Sequence, residues 1–135
     1  MKTKILIVDD HEVVREGLKT LMAKLRPKWE VVGEASDGEE GINATSALKP
    51  DVVLLDVTMP KMNGLEACAE MRKRGIDCPV LIFTMHDSSR LAVESEYAGA
   101  QGCVAKGQAG RYLMRAIDTL LAGGTFFSTE ESRHA

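Results

Sequence analysis

The stretch that decides the fold is DVVLLDVTMP, residues 51–60. Four consecutive apolar residues, 52–55, lead directly into the carboxylate of Asp56. An apolar run without polar alternation is typical of a strand that is buried on both faces of a parallel sheet. Because a buried carboxylate is costly unless it is paired or hydrated, we predict that Asp56 lies at the carboxyl end of this strand. In open parallel sheets, that edge is where ligands bind.

A second stretch near the amino terminus has the same form. The apolar residues 5–8, ILIV, are followed by Asp9 and Asp10. If the two strands are neighbours, three carboxylates meet at one edge. Two unit charges about 4 Å apart repel by about 4 kcal/mol at an effective dielectric of about 20. Such a cluster needs a cation, and carboxylate oxygens suit Mg²⁺, which keeps several of its waters. The sequence therefore predicts a magnesium site.

Composition limits the class of protein. The 135 residues suit one domain, and 17 Lys and Arg against 20 Asp and Glu give a net charge of −3. Without a basic stripe, the chain by itself is a poor candidate for binding nucleic acid. Its apolar runs are shorter than the roughly 20 residues of a membrane span, and its amino terminus lacks the core of a signal peptide. The three cysteines have no CxxC spacing, which indicates reduced thiols in a cytoplasmic protein and disfavours zinc.

Strand and helix patterns alternate five times along the chain, which predicts an α/β fold with a doubly wound parallel sheet. The third strand is the one that ends in Asp56, and the second is more polar, as expected at a sheet edge. The other predicted strands are 4–9, 29–35, 80–84 and 102–105.

The helices differ in the quality of their patterns. The first helix places apolar residues at 3.6-residue spacing, and the fifth does so most clearly. The fourth helix has a weak pattern (Leu91, Val93, Tyr97 and Ala98), which predicts loose packing. Residues 125–135 are predicted to form a frayed tail. The predicted amino-terminal caps are Ser36 with Glu39, Asn63 with Glu66, and Asp87.

The strand ends carry the residues that can do chemistry. A doubly wound sheet brings Asp9, Asp10, Asp56, Thr84 and Lys106 to one edge. With Mg²⁺ between Asp10 and Asp56, a free oxygen of Asp56 can attack phosphorus, and Lys106 and Thr84 can bind phosphoryl oxygens. Taken singly, each aspartate could equally be a helix cap, and Lys106 could be a surface lysine. Their convergence favours a phosphoryl-accepting site.

Five motifs in order extend this interpretation. They are VDD at 8–10, LLDVTMPKMNG at 54–64, TMHD at 84–87, AGAQGCVAKG at 98–107 and LLAGGTFFS at 120–128. On these residues the chain resembles the receiver domains of two-component response regulators over roughly residues 4–123. The last three motifs are most similar to the NarL/FixJ-type subfamily, whose output is of the LuxR type.

The resemblance implies a flavodoxin-like (CheY-like) (βα)₅ fold with strand order 2-1-3-4-5. It makes 1–123 the receiver domain and 124–135 a tail or the start of a linker to an output domain outside this chain. Asp56 would be the phosphoacceptor, held with Lys106 and Thr84. Mg²⁺ would bind Asp10, Asp56 and the backbone carbonyl of Thr58, with Asp9 in support.

The resemblance also implies partners. The phosphate donor would be a phosphohistidine on a sensor histidine kinase, docked mainly on the first helix. Phosphorylation would reshape the face formed by helix four, strand five and helix five, and could produce a homodimer. The domain would assist its own phosphorylation without being an enzyme, and it would bind no membrane. Its output would be transcription, through a helix-turn-helix DNA-binding domain that this chain does not contain.

Three positions depart from the family pattern. Cys103 stands where an aromatic switch residue is usual, so we expect a muted aromatic rearrangement. Met85 follows Thr84 where many relatives have a smaller residue, and it could slow attack by water on the phosphoryl group. Gly107 replaces a frequent cis-proline.

Two other functions fit the sequence less well. An aspartate-nucleophile phosphatase of the haloacid dehalogenase type needs a second aspartate two residues after Asp56, where this chain has Thr58. A flavodoxin needs a phosphate-binding loop after the first strand, which the sequence lacks. His11 and His86 lie near the predicted site but are interpreted as loop residues, and His134 lies in the tail.

Overall fold

The computed structural model of the protein describes residues 2–85 and 89–127. In these ranges, five strand–helix units alternate and a sixth short strand follows the last helix. The strands are β1 (Thr3–Val8), β2 (Trp29–Ala35), β3 (Val52–Asp56), β4 (Val80–Thr84), β5 (Gly102–Ala105) and β6 (Phe126–Phe127). The helices are α1 (Glu12–Leu25), α2 (Gly38–Leu48), α3 (Gly64–Lys73), α4 (Ser89–Tyr97) and α5 (Ala109–Leu121), with a 3₁₀ turn over Lys106–Gln108.

The described strands form one parallel sheet in the order β2-β1-β3-β4-β5-β6. The sheet grows from β1 in two directions, with β2 on one side and the later strands on the other. The strand order therefore reverses between β1 and β3, and ligands of such sheets bind beside that point. The predicted doubly wound fold and the order 2-1-3-4-5 are confirmed, with β6 added at the outer edge.

Each face of the sheet carries its own apolar layer. Along β1, Ile5 and Ile7 face the layer under α1 and α5, while Leu6 and Val8 face the layer under α2, α3 and α4. Every residue of β3 is buried, as expected for a central strand that helices cover on both sides. Two packed layers thus hold the central strands in place, so that their carboxyl ends are presented at a fixed edge.

Two of the predicted helix caps fall within the described residues, and one of them is wrong by one position. Asn63 and Glu66 form the predicted capping box of α3, with both hydrogen bonds present. The cap of α2 is Asp37, whose side chain accepts from the backbone N–H of Glu40 at 2.8 Å. Ser36 instead donates its own backbone N–H to Glu40 Oε1. Asp37 and Glu40 have the same three-residue spacing as the predicted pair, so spacing did not separate the two choices.

The predicted frayed tail is wrong at residues 126 and 127. Phe126 is buried, pairs with Gly102 of β5, and donates its backbone N–H to the carbonyl of Gln101 at 2.9 Å. Its ring lies 5.9 Å from that of Tyr112, centroid to centroid. Extension of the sheet thus buries Phe126 and partly buries Phe127, whose apolar rings a tail would expose.

Some expectations lie outside the described residues. These are the cap at Asp87, the loop position of His86, and the tail from 128 to 135 with His134. Of the apolar residues assigned to helix four, Leu91 is buried, whereas Val93 and Tyr97 are exposed. The weak sequence pattern of this helix therefore corresponds to a narrow buried stripe.

Candidate functional site

The carboxyl ends of four neighbouring strands form the site. Asp9 and Asp10 follow β1, Asp56 ends β3, Thr84 ends β4 and Lys106 follows β5. The strand registers explain the convergence: Asp56 lies opposite Phe83, and Thr84 lies opposite Ala105, the residue before Lys106. The parallel sheet therefore carries residues from distant parts of the sequence to one edge.

Lys106 lies between two buried carboxylates. Its Nζ is 2.8 Å from Asp9 Oδ2 and 3.3 Å from Asp56 Oδ1, and its side chain is only 10% exposed. The Nζ also lies 5.7 Å from the centroid of the Phe83 ring, at the end of β4. One ammonium group thus offsets part of the repulsion between Asp9 and Asp56.

Asp9 has protein donors on both carboxylate oxygens. Oδ2 accepts from Lys106, and Oδ1 accepts from the backbone N–H of His11 at 2.8 Å. Its backbone carbonyl accepts from Arg15 Nη1 at 2.6 Å, and Arg15 is itself paired with Glu34. Asp9 is therefore held in place by β1, α1 and β5 together, as suits a supporting carboxylate.

Asp10 points towards solvent. It is the exposed member of the aspartate pair, and its Oδ1 lies 3.0 Å from His11 Nδ1. An accessible carboxylate beside a buried one can contact a hydrated cation that enters from solvent, because the ion can keep its remaining waters.

Asp56 is buried, with 3% of its surface exposed. Burial raises the pKa of Asp56, and the nearby Asp9 carboxylate raises it further, whereas Lys106 and the backbone N–H of Val57 act in the opposite direction. The carboxylate is thus incompletely compensated by the protein alone. An additional cation beside Asp56 would offset the uncompensated negative charge of its carboxylate.

The donor set fits a divalent cation. Asp9, Asp10, His11 and Asp56 each place one ligand atom within 4.8 Å of the others. Opposite ligands of an octahedral ion with bonds of about 2.1 Å are about 4.2 Å apart, so the cluster needs little contraction to surround an ion. Three of the four residues offer hard carboxylate oxygens, which is the chemistry that Mg²⁺ prefers.

The loop after β3 is drawn close to the strand it leaves. The backbone N–H of Gly64 donates to the carbonyl of Val57 at 2.8 Å. A Cβ at Gly64 would overlap the backbone carbonyl of Asp56, so the MNG motif requires glycine there. Thr58 lies in this loop, two residues after Asp56, and its carbonyl remains a predicted metal ligand.

The structure also gives the positions of Thr84, Cys103 and Met85. Thr84 is buried at the end of β4, and Cys103 is buried in the apolar layer under α2, α3 and α4. Met85 is largely exposed. Their effects on phosphorylation stay predictions.

The structure adds contacts of two residues that the sequence does not predict. His11 lies in the turn between β1 and α1, as predicted for a loop residue near the site, and its Nδ1 also lies within reach of both Asp9 and Asp10. Arg15, which holds the Asp9 carbonyl, received no role. The available signal was the sequence itself, because His11 directly follows the aspartate pair and Arg15 lies one helical turn later.

Comparison with known proteins decides the family. Residues 5–118 match the response regulator receiver domain. The chain belongs to this family. It is 35% identical over 125 residues to the transcriptional regulatory protein DegU of Brevibacillus brevis, covering 93% of this chain and 52% of that protein. It is 37% identical over 119 residues to the nitrate/nitrite response regulator protein NarL of Escherichia coli, covering 88% of this chain and 55% of NarL.

A solved structure agrees along the whole length. A two-component response regulator of the LuxR family from Aurantimonas sp. superposes with a TM-score of 0.89 at 36% identity, covering 100% of both chains. The predicted NarL-type receiver is confirmed, and the family match supports it over the haloacid dehalogenase-type phosphatase. The receiver chain spans about half the length of the curated relatives it matches. None of the helices in the described ranges is long and apolar enough to cross a bilayer.

Proposed function

We propose that this receiver domain stores a signal as an acyl phosphate on Asp56. The observation that supports this most is the position of Lys106, whose Nζ lies between the buried Asp9 and Asp56 carboxylates. An ammonium group held there can also bind a phosphoryl group that is transferred to Asp56. Asp56 stands at the reversal of strand order, where open α/β sheets bind ligands.

In the proposed transfer, one oxygen of Asp56 attacks the phosphorus of a phosphohistidine. A new O–P bond forms as the N–P bond breaks, and the released electron pair stays on the imidazole, which takes up a proton. Lys106 and the hydroxyl of Thr84 bind phosphoryl oxygens during and after the transfer. Phosphoryl transfer depends mainly on positioning and charge neutralisation, and both residues start from buried, fixed strand ends.

We assign the Mg²⁺ ligands to Asp10, Asp56 and the backbone carbonyl of Thr58. Asp9 supports them through its contacts to Lys106 and to the backbone of His11. When bound, Mg²⁺ would neutralise charge on the phosphoryl oxygens and orient them.

Labelling with a small phosphodonor tests the assignment of Asp56. Acetyl phosphate with Mg²⁺ should label the wild-type chain and leave Asp56→Asn unlabelled. Asp51→Asn is a matched control, because Asp51 lies just before the same strand at the opposite edge of the sheet, and it should label normally. Label that persists in Asp56→Asn, or that needs no divalent ion, would contradict the proposal.

The proposed donor is a sensor histidine kinase that docks on α1. This helix begins beside the acidic cluster, and its second residue, Val13, exposes an apolar side chain to solvent. Val13→Asp should slow transfer from the kinase while leaving labelling by acetyl phosphate unchanged. Equal rates from the kinase in both chains would place the docking surface elsewhere.

We also propose that the parent protein is cytoplasmic and regulates transcription through a DNA-binding domain. Phosphorylation of the receiver would lead two copies of the protein to form a homodimer. The named relatives are a transcriptional regulatory protein and a response regulator, each about twice the length of this chain. The parent gene should encode a further helical, basic segment of about 60–80 residues. Phosphorylation should then increase DNA binding by the full protein, and an unchanged affinity would refute this output.

A further inference from the structure

His11 is the one non-carboxylate member of the four-residue cluster at the sheet edge. Its Nδ1 lies 3.0 Å from Asp10 Oδ1 and 3.3 Å from Asp9 Oδ1. Its backbone N–H donates to Asp9 Oδ1, which fixes the residue at the turn between β1 and α1. The ring is 65% exposed, and its Nδ1 is the atom directed at the carboxylates. A nitrogen ligand atom therefore stands at the mouth of the proposed cation site.

We propose that His11 is a ligand of this site through Nδ1, so that the site binds a divalent transition-metal ion such as Co²⁺ as well as Mg²⁺. The inference rests on the proposed function, because it assumes that a divalent ion binds among these residues. It concerns the choice of ion, which the assignment of Asp56 leaves open.

The hydrogen bonds of Asp9 favour His11 over Asp9 as a direct ligand of the ion. Both Asp9 oxygens already accept from Lys106 and from the His11 backbone, so direct metal binding by Asp9 would have to displace a donor. Asp10, His11 and Asp56 are then the side chains best placed to bind the ion. The distance limit of 4.8 Å among the ligand atoms includes His11 Nδ1.

The chemistry of the donors gives the direction of the effect. Mg²⁺ binds oxygen ligands and gains little from an imidazole. Co²⁺ binds imidazole well. Its affinity for a site of nitrogen and oxygen ligands is higher than that of Mn²⁺, which stands at the low end of the same series. Loss of the imidazole should therefore weaken Co²⁺ binding much more than Mg²⁺ binding.

Calorimetric titration of the whole chain with Co²⁺ and with Mg²⁺ tests this. His11→Ala should lower Co²⁺ affinity about tenfold or more and change Mg²⁺ affinity by less than about twofold. Excess Mg²⁺ should displace Co²⁺, which places both ions at one site. Glu12→Gln is the matched control, because it removes a neighbouring charge from outside the cluster and should shift both affinities together.

Pulsed electron paramagnetic resonance of bound Co²⁺ supplies a direct readout. Wild type should show coupling to an imidazole nitrogen, and His11→Ala should lose it. The coupling should persist when His86 and His134 are both changed to Asn, which leaves His11 as the only histidine.

Four results would overturn the inference: no nitrogen coupling in the wild type, nitrogen coupling that survives His11→Ala, Co²⁺ that Mg²⁺ does not displace, or Co²⁺ affinity that stays the same or rises when the ring is removed. A rise would mean that the ring occupies the carboxylates instead of binding the ion. Failure of Asp56 to be labelled in the presence of Mg²⁺ would count against the proposed function instead. Normal labelling without nitrogen coupling would remove only the role of His11.

Discussion

Helices α4 and α5 pack on opposite faces of β5 and are held in different ways. Helix α5 buries five side chains in the layer it shares with α1: Tyr112, Leu113, Ala116, Ile117 and Leu120. Helix α4 buries Leu91, Ala92 and Ser95, while Val93 and Tyr97 are 66% and 95% exposed. Burial of large apolar side chains therefore secures α5 much more firmly than α4.

At the carboxyl end of α4, hydrogen bonds make up for the small buried apolar surface of the helix. Arg72 of α3 donates to the carbonyl of Gly99 and to Gln101 Oε1, both at 2.9 Å, and to the carbonyl of Ile76 at 2.8 Å. Gln101 Oε1 also accepts from the backbone N–H of Val80, at the start of β4. The turn after α4 is thus fixed to α3 and β4 by hydrogen bonds from one half-buried guanidinium.

The difference indicates where this receiver can change shape. A helix fixed at its carboxyl end and lightly packed along its body can tilt without losing much buried surface. Helix α5 cannot, because tilting it would uncover an apolar face along its whole length. A change at Thr84 on phosphorylation is therefore expected to move α4 before α5.

The largest effect is expected from truncating one buried leucine in each helix. Leu113→Ala in α5 should lower the free energy of unfolding by about 4 kcal/mol, and Leu91→Ala in α4 by about 2 kcal/mol, because Leu113 is fully buried whereas Leu91 is buried less completely. Urea denaturation of the two variants measures both values. Equal losses would show that α4 is packed as firmly as α5.

Part of the contrast between α4 and α5 can be predicted from the spacing of apolar residues in the sequence. The spacing of Leu113, Ala116, Ile117 and Leu120 predicts the buried face of α5, and apolar runs ending in carboxylates predict the site edge. Strand β6 has only two residues, too few for a periodic pattern. The role of Arg72 depends on folded geometry, since Arg72 donates to a carbonyl 27 residues away. Such contacts leave no local signal.

The next effect concerns the polar anchor of α4. Arg72→Met keeps much of the apolar stem but removes the donors to Gly99, Ile76 and Gln101, so it should cost about 2–3 kcal/mol of unfolding free energy. Arg74→Met is the matched control, because Arg74 directly follows the same helix. Arg74 forms an exposed pair with Glu70 and should cost about 0.5 kcal/mol or less. If both variants lose the same stability, the anchor does not hold α4.

The acidic edge of the sheet contrasts with both helices. Burial stabilises the fold at the apolar side chains of α4 and α5, whereas burial of the Asp56 carboxylate lowers the stability of the folded chain. Burial and the Asp9 carboxylate raise the pKa of Asp56 in the folded chain above its ordinary value of 3.8. Below that value Asp56 is protonated in both states. As pH rises through it, the unfolded chain ionises first, and the folded state loses stability until the pH passes the raised pKa. Asp56→Asn should therefore be more stable than wild type at pH 7 when no metal is present, because the variant removes a buried carboxylate whose pKa is raised in the folded chain.

Denaturation of wild type and Asp56→Asn across pH 3 to 7, without divalent ions, checks the sign. The advantage of the variant should be absent at the acidic end and should grow with pH, while Lys106 keeps Asp9 as its partner. An Asp56→Asn variant that is less stable than wild type at pH 7 would show that Lys106 more than compensates the buried charge.

The smallest effect is expected at Tyr97, the last residue of α4, whose side chain is exposed; Tyr112 of α5 is its buried counterpart. Tyr97→Ala should change the free energy of unfolding by about 0.5 kcal/mol or less, because the ring contributes its surface to solvent. Tyr112→Ala in α5 should cost about 3 kcal/mol or more, because that ring is buried beside Phe126. A cost above about 1 kcal/mol at Tyr97 would mean that its ring packs on the protein in solution. In that case α4 would have a second apolar anchor, and the argument that it moves before α5 would fail.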